Sequence, residues 1–116
     1  MLSEKLLVSE SKRRAHIFNN LDKYLRIIVD TVKMLDKDAE VYLFGSVADG
    51  RYLLSSDIDI LLVTEMPPGK VIAELWKSGI TDPFEIHVIT KNAYELYRRR
   101  AKLIRLISSP QETQHS

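Results

Sequence analysis

The chain contains no cysteine, which excludes thiolate metal sites, thiol catalysis and any disulfide frame. It also lacks an excess of one charge: seventeen basic side chains face sixteen acidic ones, for a net charge of +1. No global field therefore draws the molecule onto nucleic acid or an anionic membrane, and any polyanion site must be local. Long hydrophobic runs are missing too. The longest, Ile58 to Thr64, has Asp59 inside it and falls far short of the roughly 20 residues that span a bilayer. The opening Met1-Leu2-Ser3-Glu4-Lys5-Leu6-Leu7-Val8 mixes charges into its apolar patch and has no small-residue cleavage site, so it is unlike a secretory signal. A cytoplasmic location without a membrane partner is the expectation. No internal repeat is visible.

What is present suits one ordinary domain. The 116 residues are 45% apolar and 28% charged, and a chain of this size buries roughly two thirds of the surface that its unfolded form exposes. The domain is expected over residues 1–107. The polar, proline-containing stretch 108–116 has no core stripe and reads as a disordered tail.

Between about Ser9 and Leu35, Ile17, Leu21, Tyr24, Leu25, Ile28, Val32 and Leu35 recur in steps of three and four, predicting one long amphipathic helix. Its charged side, including Lys12, Arg13, Lys23 and Arg26, reads as solvated surface. Glu40 to Phe44 is a short β-prone run ending at Gly45. Ser46 to Asp49 has room for a single helical turn, with Ser46 able to cap it and Gly50 able to close it. Ile58 to Val63 is apolar on both alternating faces after Asp59, the mark of a central strand covered on both sides. A helix from about Lys70 to Ser78 follows Pro67-Pro68-Gly69, with Trp76 expected in the core. In Phe84 to Ile89, Phe84, Ile86 and Val88 face one side and Glu85, His87 and Ile89 the other. Thr90 can cap a last helix reaching about Ile107. The order α-β-α-β-α-β-α predicts a small α/β (α+β) domain, a three-stranded mixed sheet backed by helices.

The chemistry concentrates between Leu43 and Leu61. A strand runs into Gly45-Ser46, where glycine permits close backbone approach and the following turn presents N–H groups, a geometry that suits phosphate. Eleven residues after Ser46, Asp57 and Asp59 stand two apart at the start of a strand, with Cα atoms roughly 6.7 Å apart and side chains on one face. Two carboxylates about 4 Å apart repel by on the order of 4 kcal/mol at an effective dielectric near 20. Divalent cations offset that, and a pair of them can bridge nucleotide phosphates and an attacking oxygen. Glu85 is the natural third carboxylate if the third strand pairs beside the second, and His87 shares its face.

Gly45, Ser46, Gly50, Ser56, Asp57 and Asp59, with this spacing and these flanking strands, closely resemble the nucleotidyltransferase superfamily typified by DNA polymerase beta, in particular its minimal nucleotidyltransferase branch. The resemblance spans about Leu6 to Ile107. It implies transfer of a nucleoside monophosphate from a nucleoside triphosphate, with ATP the expected donor, to a hydroxyl acceptor. Gly45, Ser46, Arg51 and Ser56 would hold the nucleotide phosphates. Asp57 and Asp59 would ligate two Mg2+ ions, and Glu85 would ligate the catalytic ion and activate the acceptor. His87 would add a ligand or position the acceptor. Val47 and Asp49 stand where relatives often carry arginine, and Arg51 is the nearest replacement.

Members of the branch are often paired with a small helical protein of the HEPN type, for which the transferase serves as antitoxin. The resemblance therefore also implies such a partner, or a homo-oligomer that completes the acceptor pocket. A different class of function stays open at this point: a catalytically silent, partner-binding module of the same fold. The basic run Arg98-Arg99-Arg100 with Lys102 and Arg105 leaves phosphate or nucleic-acid contact open as well. Tyr94 and Tyr97 read as packing residues.

Overall fold

The computed structural model describes residues 4–107, so the expected tail at 108–116 lies outside the described residues. Helices α1 (Glu4–Asn19) and α2 (Leu21–Leu35) lead into β1 (Glu40–Phe44), the short helix α3 (Gly45–Ala48) and β2 (Ile58–Val63). Then come α4 (Pro68–Lys77), β3 (Phe84–Ile89), α5 (Lys91–Arg100) and β4 (Ile104–Leu106). The mixed α/β architecture with helices against a mixed sheet is as expected from the sequence. Among the described residues, no helix is long and apolar enough to cross a membrane.

Among the described residues the sheet has four strands in the order β3-β2-β1-β4, not three. The extra strand lies where the last helix was expected to continue: Ala101 turns extended (φ −134°, ψ 150°), and Ile104 and Leu106 pair antiparallel with Leu43 and Val41. The edge of β1 would otherwise expose its unpaired N–H and C=O groups, and a three-residue segment satisfies them. The expected single N-terminal helix is also divided. The Asn20 amide donates to the His16 carbonyl at 2.8 Å, and Asn20 itself has φ −124° and ψ 32°. A side chain competing for the helix's own carbonyls ends α1, while the apolar periodicity runs on across the break.

β2 is central, as its two apolar faces predict. It pairs antiparallel with β1 and parallel with β3, and Ile58, Ile60, Leu61 and Leu62 are fully buried. Alternation splits the sheet into two faces. On one, Val41, Leu43, Ile58, Ile60, Leu62 and Phe84 meet Ile28, Val29 and Val32 of α2 and Val71 and Leu75 of α4. On the other, Tyr42, Leu61 and Val63 meet Phe44, Ile89, Tyr94, Tyr97 and Leu103, so the two α5 tyrosines do pack. Trp76, expected in the core, is 63% exposed; the α4 stripe turns Val71 and Leu75 inward and leaves the indole on the rim. Thr90 caps α5 by accepting from the Ala93 N–H at 3.3 Å.

Candidate active site

The α5 face of the sheet is apolar at one end and acidic at the other. Phe44 pairs with Asp59 across β1 and β2, and Asp59 pairs with Glu85 across the parallel β2 and β3. Because residues opposite each other in a sheet project to the same side, this register sets the Asp59 and Glu85 carboxylates next to one another. His87, two residues along β3, shares that side. One ligand atom from each of Asp59, Glu85 and His87 falls within 4.8 Å of the others. His87 Nε2 is 3.3 Å from Glu85 Oε1 and 3.5 Å from Asp59 Oδ1.

Burial chiefly, with Glu85 alongside, holds the Asp59 carboxyl above its ordinary range, and His87 pulls the other way. The His87 ring is fixed edge-on against Phe44, with ring centres 5.2 Å apart and planes at 64°. Its Nε2 is buried and makes no aligned hydrogen bond among the described residues. Two carboxylates and an imidazole nitrogen left without a hydrogen-bond partner are a donor set that fits a divalent cation. Asp57 is not part of this group; it is exposed in the residue before β2.

β1 ends directly on the candidate phosphate turn. Gly45 has φ +80°, and a Cβ there would overlap the Asp59 carboxylate, so the left-handed turn and the close approach both require glycine. Phe44 is the N-cap of α3 and makes no side-chain cap bond, so Ser46 sits inside the first turn and not at its cap. Ser46 is half-buried. Val47 packs into the core. Asp49 is paired with Arg51 at 3.1 Å, which neutralises it and leaves Arg51 81% exposed. The Ser56 hydroxyl accepts from the Leu53 N–H at 2.9 Å and so shapes the loop before β2.

The segments that lead into Asp57 and into β3 are braced by two arginines that the sequence reading did not single out for the site. Arg14 Nη1 donates to the carbonyls of Leu54 and Ser56 at 3.3 and 3.2 Å, and its Nη2 lies 3.3 Å from Asp82 Oδ2. Arg13 donates to the Asp82 carbonyl at 2.7 Å, just before the cis Asp82–Pro83 bond. The available signal was spacing: Arg14 lies one helical step before Ile17 on the buried stripe, where a charged residue needs a partner. Farther along, Phe44, Leu96, Tyr97, Arg100 and Ala101 line a cavity of about 350 Å³ beside the cluster. Of the basic run, Arg98 is paired with Glu95 at 2.7 Å and Arg105 lies on β4, 3.9 Å from Glu40.

No match is found among curated proteins. Two crystal structures are similar. One is of a candidate nucleotidyltransferase, 29% identical, with 78% of this chain and 97% of the other covered and a TM-score of 0.49. The second, a candidate nucleotidyltransferase from Sulfolobus solfataricus, is 24% identical, with 81% and 88% covered and the same TM-score of 0.49. The family model of the nucleotidyltransferase domain matches residues 25–109, nearly three quarters of the sequence, from the second turn of α2 past β4. With the glycine turn, the acidic strands and the loop between them all inside that match, the chain belongs to the nucleotidyltransferase domain family.

Proposed function

We propose that this protein transfers a nucleoside monophosphate from a nucleoside triphosphate, ATP first among them, to a hydroxyl acceptor in a reaction that depends on divalent metal, Mg2+ being the ion that the resemblance implies. The observation that carries this reading is the meeting of three strand ends: the Gly45 turn lies directly against Asp59, and Asp59 lies beside Glu85. A phosphate received by the N–H groups of that turn would lie next to both carboxylates. Gly45 and Ser46 hold the phosphates, with Arg51 and Ser56 at the rim, and Asp57, Asp59 and Glu85 are the carboxylates for two metal ions. Bound metal supplies charge neutralisation of the phosphates. Glu85 receives the acceptor's proton as the acceptor oxygen bonds to the α-phosphorus and the bond to the β-phosphate oxygen breaks, releasing pyrophosphate. Catalysis is then orientation plus electrostatic stabilisation.

The acceptor is proposed to come from a partner, a HEPN-type helical protein or a second copy of this chain. Asp57, exposed and outside the Asp59 group, favours one second reading, a silent module that binds such a partner without transfer. Calorimetric titration of ATP, GTP, CTP and UTP with and without Mg2+ separates the two. Metal-dependent binding that the Asp57→Asn, Asp59→Asn double variant loses supports transfer. Failure of the native chain to bind any nucleotide at millimolar concentration refutes it.

A further inference from the structure

His87 is the one non-carboxylate donor in the Asp59–Glu85–His87 group. Nε2 stands at 3.3 Å from Glu85 and 3.5 Å from Asp59, longer than the roughly 2.7–2.9 Å of a charge-assisted hydrogen bond. Nε2 is nonetheless buried, without an aligned hydrogen bond among the described residues. Ligands about 2.1 Å from a common ion sit roughly 3 Å apart in neighbouring octahedral positions, so these separations are close to those of a shared ion. The ring is also pre-aimed: β3 alternation places it on the acidic face, and Phe44 packs against it.

We infer that His87 converts a carboxylate site into a mixed nitrogen–oxygen site that takes manganese(II) in preference to magnesium. Magnesium sheds water reluctantly and favours all-oxygen surroundings, while imidazole nitrogen favours first-row transition ions. Among these, manganese(II) also retains the octahedral, oxygen-rich coordination that phosphates require. This inference rests on the nucleotidyltransferase reading for the place of the metal, but its readout does not depend on turnover.

The test is Mn2+ titration followed by electron paramagnetic resonance on the full chain, with Mg2+ competition, for the native protein, His87→Gln and His87→Asn. The expected result is nitrogen hyperfine coupling to bound Mn2+ in the native protein that both variants lose. With it comes a fall of about tenfold in the ratio of Mn2+ to Mg2+ affinity, and tenfold corresponds to about 1.4 kcal/mol. Bound Mn2+ without nitrogen coupling, an unchanged ratio in folded variants, or no Mn2+ binding at all would each overturn it. The native spectrum alone decides the matter if the variants do not fold. Nucleotide binding separates the two levels: coupling without it sinks only the transferase reading, and nucleotide binding without coupling sinks only the manganese inference.

Discussion

Replacing Gly45 with alanine tests whether the turn and the acids form one unit. Two costs are combined at that position. Alanine at φ +80° pays about 1–2 kcal/mol for a left-handed backbone, partly returned by about 0.4–1 kcal/mol because alanine narrows the unfolded ensemble. The new Cβ also collides with the Asp59 carboxylate, whose Cγ is 3.2 Å away, and forced overpacking costs about 1–3 kcal/mol. Gly50 is the control: it has φ +73° but open space where its Cβ would go. Gly50→Ala should therefore lower stability by about 1 kcal/mol, and Gly45→Ala by about 2–4 kcal/mol. At about 4 °C per kcal/mol for a domain of this size, the midpoints should fall by roughly 4 °C and 8–16 °C. Thermal unfolding followed by circular dichroism reads this difference. Calorimetry on the same samples should find metal-dependent nucleotide binding lost in Gly45→Ala and kept in Gly50→Ala. If the two variants melt within about 2 °C of each other and both bind nucleotide, the turn and Asp59 are not mechanically joined and the reasoning fails.

Arg14→Ala should cost about 2 kcal/mol in denaturant unfolding, because it removes charged hydrogen bonds from a largely buried guanidinium. It should also weaken nucleotide binding by loosening the residue before Asp57; stability and affinity unchanged from native would refute the brace. Asp36 gives a pH prediction. The Thr64 hydroxyl, donating at 2.6 Å, holds the Asp36 carboxyl below its ordinary range, with the Asp38 N–H helping. A depressed folded-state value means stabilisation that is present above the unfolded value near 3.9 and lost as pH falls through the folded one. Asp36→Asn, measured by urea unfolding from pH 7 to pH 2, should be less stable than native at pH 7 by up to about 1.5 kcal/mol and should narrow that gap in acid. A gap that is constant across the range would contradict it.

Much of the candidate site is legible in the sequence because the informative residues are local. Gly45-Ser46 and Asp57-x-Asp59 each sit within a few positions of a strand end, and alternation alone put Glu85 and His87 on one side of β3. Strand order and register join these pieces, and they depend on pairing partners far apart in sequence. The sequence also fixed neither the departure of Asp57 from the cluster nor the pairing of Asp49 with Arg51, since both depend on how the loop between α3 and β2 lies. β4 was missed because three residues carry no periodicity, and the open edge of β1 decides their state. The break at Asn20 was missed because the apolar stripe continues across it. Trp76 shows the converse: a place in a correctly expected helix said nothing about how far that helix rolls against the sheet.

The parallel register of β2 and β3 also guards against misassembly. A slip of one residue would turn Glu85 and His87 toward Ile60, Leu62 and the helices, and would turn Phe84, Ile86 and Val88 toward Asp59. Burying an unpaired carboxylate in that apolar layer costs several kcal/mol, a large share of the stability of any small domain. A wrongly paired sheet is therefore strongly disfavoured against the native one. The oily side of the molecule acts as the proofreader of its polar side, and any chain that passes the check has its acids aligned.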